Sequence, residues 1–121
     1  MARIFDCQRK STLALRQRKA FLLRQLLPPH NLIRASCVEQ FLTCGKLTCV
    51  CHQGQKHGPY FYLTQCLAPG KLRKFLLKTP AQQEQARRAT SSYRQFLEQV
   101  EELSQINTEL LRRREPLLME P

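Results

Sequence analysis

Three of the six cysteines and two of the three histidines fall within fourteen residues of this chain, at positions 44–57. The thiols follow the spacing C-x4-C-x-C, and the two imidazoles come directly after them. Zn²⁺ prefers a tetrahedral set of thiolate sulfurs and imidazole nitrogens, so ligands this close in sequence can converge on one ion without distant parts of the chain. The segment therefore predicts a structural zinc site that closes a loop.

The order of the ligands favours one histidine over the other. In an extended chain, Cys49 and Cys51 point to the same side, whereas the adjacent Cys51 and His52 point to opposite sides. His57 follows a glycine-containing loop that can fold back, and a Gly-Pro turn comes after it. His52 and, more remotely, Cys66 remain alternative ligands. The predicted zinc ligands are Cys44, Cys49, Cys51 and His57.

Two other interpretations of the cysteines stay open. They can be small buried apolar residues or disulfide partners; the start MARIFDCQRK shows no secretory signal, so we expect the reducing cytoplasm, where disulfides are rare. Alternatively, Cys49 or Cys51 is a reactive thiol activated by a histidine.

The sequence contains no catalytic carboxylate pair, phosphate-binding glycine loop or nucleophile elbow, so we expect no enzymatic activity.

The positive charge is concentrated in the first two thirds of the chain. The net charge is +11, with 14 Lys/Arg against 2 acidic residues in residues 1–80, and 6 against 7 in residues 81–121. Such a field attracts polyanions, because each neutralised phosphate releases condensed counterions. The expected partner is DNA or RNA, although cations that merely solvate the surface remain an alternative. No apolar run has the length of a membrane span, so no membrane partner is expected.

The pattern of elements predicts an α+β fold with an N-terminal helix, a three-stranded antiparallel sheet and a long C-terminal helix. Residues 11–27 form the first helix, which two prolines end. Strands are predicted at 32–43, 59–66 and 71–78; the zinc-knuckle-like loop joins the first two, and a type II turn at Ala68-Pro69-Gly70-Lys71 joins the last two. The expected segments are 1–31, 32–79, 80–115 and 116–121.

The long helix has the clearest start and a heptad-like apolar pattern. Thr79 is the expected N-cap, with Pro80 in the first turn and Gln82 completing a capping box, and the helix is expected to reach about Arg114. A polar residue such as Asn107 within an apolar seam can select a two-stranded partner. Packing against the first helix of the same chain remains an alternative. The predicted homodimer interface comprises Tyr93, Phe96, Val100, Leu103, Asn107 and Leu110.

Aromatic side chains at positions 60–62 lie beside the basic residues of the predicted hairpin. We expect Phe61 to be buried, and Tyr60 or Tyr62 to be partly exposed and able to stack on bases. The candidate nucleic-acid-binding residues are Arg18, Arg24, Lys46, Lys56, Tyr60, Tyr62, Lys71, Arg73, Lys74 and Lys78.

The string CGKLTCVCHQGQKHGPYFYL, followed by a Lys/Arg-rich strand and a helix ending in NTELLRRR, resembles a family of small prokaryotic proteins of unknown function. The resemblance spans about residues 32–114 and leaves the N-terminal helix outside. Members tend to be encoded near transposases and other mobile-element genes, which implies a nucleic-acid-associated accessory role and a mobile-element protein as partner. The matching positions are Cys44, Cys49, Cys51, His57, Gly58, Pro59 and Tyr60.

Two functional hypotheses follow from the sequence. The first is a zinc-stabilised basic protein that binds nucleic acid with little sequence preference. The second is a protein-interaction adaptor or homodimerisation module that acts through its long helix and has no direct nucleic-acid role.

Overall fold

The computed structural model describes residues 3–26 and 31–118. The chain forms helix α1 (Thr12–Gln25), strands β1 (Ser36–Leu42), β2 (His57–Ala68) and β3 (Lys71–Leu76), and helix α2 (Pro80–Arg112). The three strands form one antiparallel sheet in the order β1-β2-β3. The predicted α+β fold, with an N-terminal helix, a three-stranded sheet and a long C-terminal helix, is confirmed.

Both helices begin at side-chain caps that the sequence indicates. The Ser11 hydroxyl accepts a hydrogen bond from the Ala14 amide at 3.1 Å, and the Thr79 hydroxyl accepts one from the Gln82 amide at 3.1 Å. The Gln82 side chain reaches back as in a capping box, but it accepts from the Lys78 amide at 2.8 Å instead of from Thr79. The predicted last residue of α1, at position 27, lies outside the described residues.

The first strand is shorter than predicted. Residues 32–35 lie outside the β1–β2 ladder, and the Ile33 amide donates to the Ala89 carbonyl of α2 at 3.2 Å. A helix carbonyl thus satisfies a backbone donor that the sequence pattern assigns to the sheet. The hairpin turn is as predicted: Gly70 has φ +78°, the left-handed conformation that the third position of a type II turn requires.

The chain divides into two compact units, and α2 contributes to both. One unit, residues 31–93, contains the sheet and the first part of α2, and its core holds Leu63, Leu77 and Ala86. The other, the described residues of 1–30 and 94–121, contains α1 and the rest of α2; its core holds Cys7, Leu15, Leu22, Ile106 and Leu110. We call them the sheet unit and the helical unit.

Candidate metal centre and basic sheet surface

Residues 43–56 fold as a compact loop between β1 and β2, which we call the metal loop. The Cys49 amide donates to the Lys46 carbonyl and the His52 amide to the Cys49 carbonyl, both at 3.1 Å. A short 3-10 helix, Val50–Gln53, follows and ends at Gly54, whose φ is +112°. The turn at Lys46 and the helical turn after Cys49 therefore fold the loop back on itself. In an extended chain the same Cys and His side chains would lie far apart.

Four candidate ligand atoms converge where this loop meets β2. The sulfurs of Cys44, Cys49 and Cys51 and a ring nitrogen of His57 all lie within 4.8 Å of one another. The Cys44 and Cys51 sulfurs are 3.5 Å apart, and the Cys49 sulfur is 3.4 Å from His57 Nε2. With Zn–S bonds of about 2.3 Å, the edges of a tetrahedral site measure roughly 3.8 Å. The spacing and the donor set therefore fit a four-coordinate metal ion.

Hydrogen bonds and burial act differently on two of the thiols. The pKa of Cys49 is lowered to about 7, first by a hydrogen bond from the Cys51 backbone amide and then by the neighbouring thiols and His57. Burial raises the pKa of the Cys51 thiol, although its sulfur accepts a hydrogen bond from the Cys44 amide at 3.2 Å. Amide donors directed at sulfur stabilise the thiolate form that binds metals.

The two histidines of the loop have different contacts. His57 Nε2 lies among the sulfurs, whereas His52 Nε2 lies 2.8 Å from the Cys44 carbonyl oxygen. His52 thus contacts the backbone of a candidate ligand residue and lies outside the cluster. Cys66, the remote alternative, lies near the hairpin turn at the other end of β2, where its thiol donates to the Ala68 carbonyl at 3.2 Å.

Gly58 allows β2 to begin directly beside the metal loop. Its φ is +141°, and a Cβ atom placed there would lie 2.9 Å from the Gln40 carbonyl oxygen. The register of β1 against β2 shifts at this point, between Gln40 and Leu42. Gly58-Pro59 therefore lies within a strand, not in the turn expected from sequence, and the close approach to β1 fixes the position of the neighbouring His57.

The sheet unit carries most of the net positive charge. Residues 31–93 contain nine Lys/Arg and two acidic residues, a net charge of +7. One of the acidic residues, Glu84, already pairs with Arg87 and Arg88. Six of the candidate nucleic-acid-binding residues are exposed and form no ion pair with any residue that the structure describes: Lys46, Lys56, Lys71, Arg73, Lys74 and Lys78.

The remaining candidates for nucleic-acid contact differ in their surroundings. Tyr60 is 37% exposed, and Tyr62 is half-buried beneath the Lys74 ammonium group, which lies 4.5 Å from its ring centroid. In the helical unit, Arg24 is exposed. Arg18 donates two hydrogen bonds to Glu102, so its guanidinium is engaged within the chain.

The predicted seam of α2 lies partly inside the protein. Leu110 is fully buried with Leu15 and Leu22 of α1, and Leu103 packs against the same cluster. At Leu103 and Leu110, α2 therefore packs against α1 of the same chain, as in the alternative to a homodimer. Tyr93, Phe96 and Asn107 are half-buried, and Val100 is exposed. Leu97 and Leu111, which follow Phe96 and Leu110 of the seam in the sequence, are exposed.

Comparison with protein families matches residues 12–74 to the family described as Domain of unknown function (DUF6788). The chain belongs to this family. The matched residues begin with α1 and end within β3, so they include the metal loop and the N-terminal helix that the motif resemblance left outside; α2 lies beyond them.

No curated protein and no solved structure matches the chain. Within the part of the chain that the structure describes, no helix combines the length and the apolar character needed to cross a membrane.

Proposed function

We propose that this member of the family is a zinc-stabilised, basic nucleic-acid-binding protein with an accessory role and no catalytic activity. The observation that carries the proposal is the convergence of three sulfurs and one imidazole nitrogen within 4.8 Å, in the unit that holds most of the net charge. The metal stabilises this unit, and the cations around it bind phosphates.

Zinc is the metal that best suits this donor set. Thiolate-rich tetrahedral sites select zinc or iron–sulfur clusters among the common biological metals, and three sulfurs with one imidazole form a closed structural zinc site. Among the described residues, the core cluster of the sheet unit has only three buried apolar side chains, Leu63, Leu77 and Ala86. Because so small a core supplies little stability, metal binding would supply part of the folding free energy of this unit.

The charge of the sheet unit supports nucleic acid as the partner. Lys46 and Lys56 lie on the loop that the metal would close, and Lys71, Arg73, Lys74 and Lys78 lie on or beside β3. An ion that fixes the loop also fixes its two lysines relative to the sheet. By the motif resemblance, we extend the proposal to a role beside a transposase or another mobile-element protein, in the reducing cytoplasm, where free thiols persist.

Elemental analysis of the purified protein tests the metal site. We expect one zinc ion per chain, and loss of that zinc in Cys49→Ser and His57→Ala. His52→Ala is the matched control, because His52 contacts the Cys44 carbonyl and lies outside the ligand cluster. Full zinc content in Cys49→Ser, or loss of zinc only in His52→Ala, would contradict this ligand set.

Fluorescence polarisation with labelled oligonucleotides tests nucleic-acid binding. The logarithm of the affinity should fall linearly with the logarithm of the salt concentration. Replacing Lys56 with Gln should weaken binding and reduce the salt slope by about 0.7 to 0.9 if its ammonium contacts one phosphate. Lys10→Gln, which removes the same charge from the helical unit, should leave the slope unchanged. Affinity that does not depend on salt would contradict the proposal.

A second candidate function is self-association through α2. Leu97, Val100 and Leu111 are exposed at positions separated by three and eleven residues, a spacing that places them along one heptad stripe. This stripe shares Val100 with the predicted seam, but it contains Leu97 and Leu111 in place of Phe96 and Leu110, because Leu110 lies in the core of the helical unit. A second copy of the chain can bury the stripe.

Light scattering distinguishes the two candidates. If α2 mediates a homodimer, Val100→Glu should halve the measured mass, whereas Gln95→Glu, an exposed polar site on the same helix, should not. A wild-type mass equal to that of one chain at all concentrations would reject the dimer and leave nucleic-acid binding as the only candidate.

A further inference from the structure

The two faces of the sheet differ in what covers them. Leu63 of β2 is buried with Ala86 of α2, and its strand neighbours Cys37 and Phe75 point to the same side. The Cys37 sulfur lies 3.8 Å from the hydroxyl of Thr90 on α2, in agreement with this assignment. Helix α2 therefore packs on this face of the sheet around Leu63, while Phe75 at the edge of the face remains 43% exposed.

Successive side chains of a strand alternate between faces, so Tyr60 and Tyr62 point away from α2. Opposite Tyr62 in the neighbouring strands lie Val38 and Leu76, and Gln40 lies opposite Tyr60. Lys74 belongs to the same face, because its ammonium lies over the Tyr62 ring and donates to the Gln40 side chain at 2.8 Å. We call this surface the tyrosine face.

The tyrosine face carries the positive charge expected of a surface that binds an anion. Glu39, the only acidic residue in the three strands, pairs with Phe61 across the ladder and lies on the side of α2, next to Leu77 and Arg87. Within the described strands, no carboxylate points to the tyrosine face, and Lys74 is the charged group at its centre. A negatively charged ligand would therefore meet an attracting cation and no repelling carboxylate from the strands on this part of the sheet.

We propose that the tyrosine face binds single-stranded nucleic acid by stacking unpaired bases on Tyr60 and Tyr62, an inference that rests on the proposed nucleic-acid-binding function. Aromatic rings on an exposed surface stack on every base, with little sequence preference. In a duplex the faces of the bases are already stacked on one another, so these rings have access only to an unpaired strand. Two tyrosines two residues apart on one strand lie about 6.7 Å apart along it, a distance that two successive unstacked nucleotides can span.

Lys74 links the rings to the phosphates. Its ammonium lies 4.5 Å from the centroid of the Tyr62 ring. A base that stacks on Tyr62 displaces the ammonium from the ring, and the flexible lysine stem then lets it contact the phosphate of the same strand. The three groups thus supply both parts of single-strand recognition, a stacking platform and a neutralising cation.

Tyrosine fluorescence gives a direct readout, because the chain contains no tryptophan and only three tyrosines. In a Tyr93→Phe background, Tyr60 and Tyr62 are the only emitters. Titration with oligo(dT) should quench this emission, and Tyr60→Leu should remove about half of the quenching and weaken oligo(dT) binding about tenfold. Tyr60→Phe, which keeps the ring, should bind within about twofold of the parent protein.

A fully paired DNA hairpin with the same number of nucleotides separates this inference from the proposed function. We expect oligo(dT) to bind at least about tenfold more tightly than the hairpin, and Tyr60→Leu to leave hairpin binding unchanged. Zinc content and circular dichroism verify that each variant is folded. Equal, salt-dependent binding of both probes without quenching would overturn single-strand recognition and leave nucleic-acid binding standing. Binding of neither probe at low salt would overturn both.

Discussion

Arg18 of α1 donates two hydrogen bonds, at 2.7 and 2.9 Å, to the carboxylate of Glu102 on α2. The Glu102 side chain is only 8% exposed, whereas that of Arg18 is 43% exposed. The pair joins the two helices of the helical unit beside their apolar core. The guanidinium is the hydrogen-bond donor to a largely buried carboxylate. Removing it should therefore lower stability more than removing an exposed cation would.

Replacing Arg18 with Gln should therefore destabilise the protein. The change leaves a largely buried carboxylate without its main donor, and we expect a loss of about 1 to 2 kcal/mol in the free energy of unfolding, reduced by the partial exposure of the arginine. Urea denaturation measures the loss. Arg24→Gln is the control, since Arg24 is exposed on the same helix, and it should change stability by less than about 0.5 kcal/mol. Equal effects of the two changes would contradict a structural role for Arg18.

The same pair predicts a dependence of stability on pH. The hydrogen bonds from Arg18 hold the pKa of Glu102 below its usual value of 4.5. Because the folded pKa lies below the unfolded pKa, the stabilisation is complete above about pH 4.5 and is lost as the pH falls through the folded value. Glu102→Gln should make the loss of stability between pH 5 and acidic pH less steep, as measured by urea denaturation at several pH values; Glu109, whose pKa is lowered by the hydrogen bond from Arg112, accounts for part of the remaining slope. Glu39→Gln, in the sheet unit, should leave the curve steep.

Gly58 should be intolerant of a side chain. An added Cβ would lie 2.9 Å from the Gln40 carbonyl oxygen, and the φ of +141° disfavours any L side chain. We expect Gly58→Ala to cost about 2 kcal/mol or more and to reduce zinc content, because it displaces β2 next to His57. Thermal unfolding and elemental analysis provide the measurements. Gly45→Ala, in the same loop with open space around the added methyl group, should retain both stability and zinc.

Leu110 and Leu111 test which side of α2 packs against the core of the helical unit. Leu110 is fully buried in the core of the helical unit, whereas Leu111 is 64% exposed. Leu110→Ala should cost about 3 kcal/mol because it opens a cavity between α1 and α2, and Leu111→Ala should cost little. Chemical denaturation measures both. If Leu110→Ala instead lowered the mass of the protein without lowering the stability of the single chain, the buried position of Leu110 would be wrong.

Local signals in the sequence were sufficient to predict the two helices, the hairpin and the residues of the candidate metal cluster. Ser11 and Thr79 accept hydrogen bonds from amides three residues away, and Gly70 lies in a turn of four residues. The conformation at each position therefore depends only on residues nearby in the sequence. The ligand residues Cys44 to His57 lie within fourteen positions. Short chain segments can bring such groups together with little loop-closure entropy, and the sequence therefore predicts them.

Tertiary structure alone decided which surfaces these elements present. The heptad pattern of α2 is the same whether its partner is α1 or a second chain, and only the packing of Leu110 with Leu15 and Leu22 assigns that position to the interior. Similarly, alternation along β2 separates Tyr60 and Tyr62 from Leu63, but it does not say which side α2 covers. That choice, like the pairing of Arg18 with Glu102, depends on contacts between residues far apart in the chain, which no local pattern encodes.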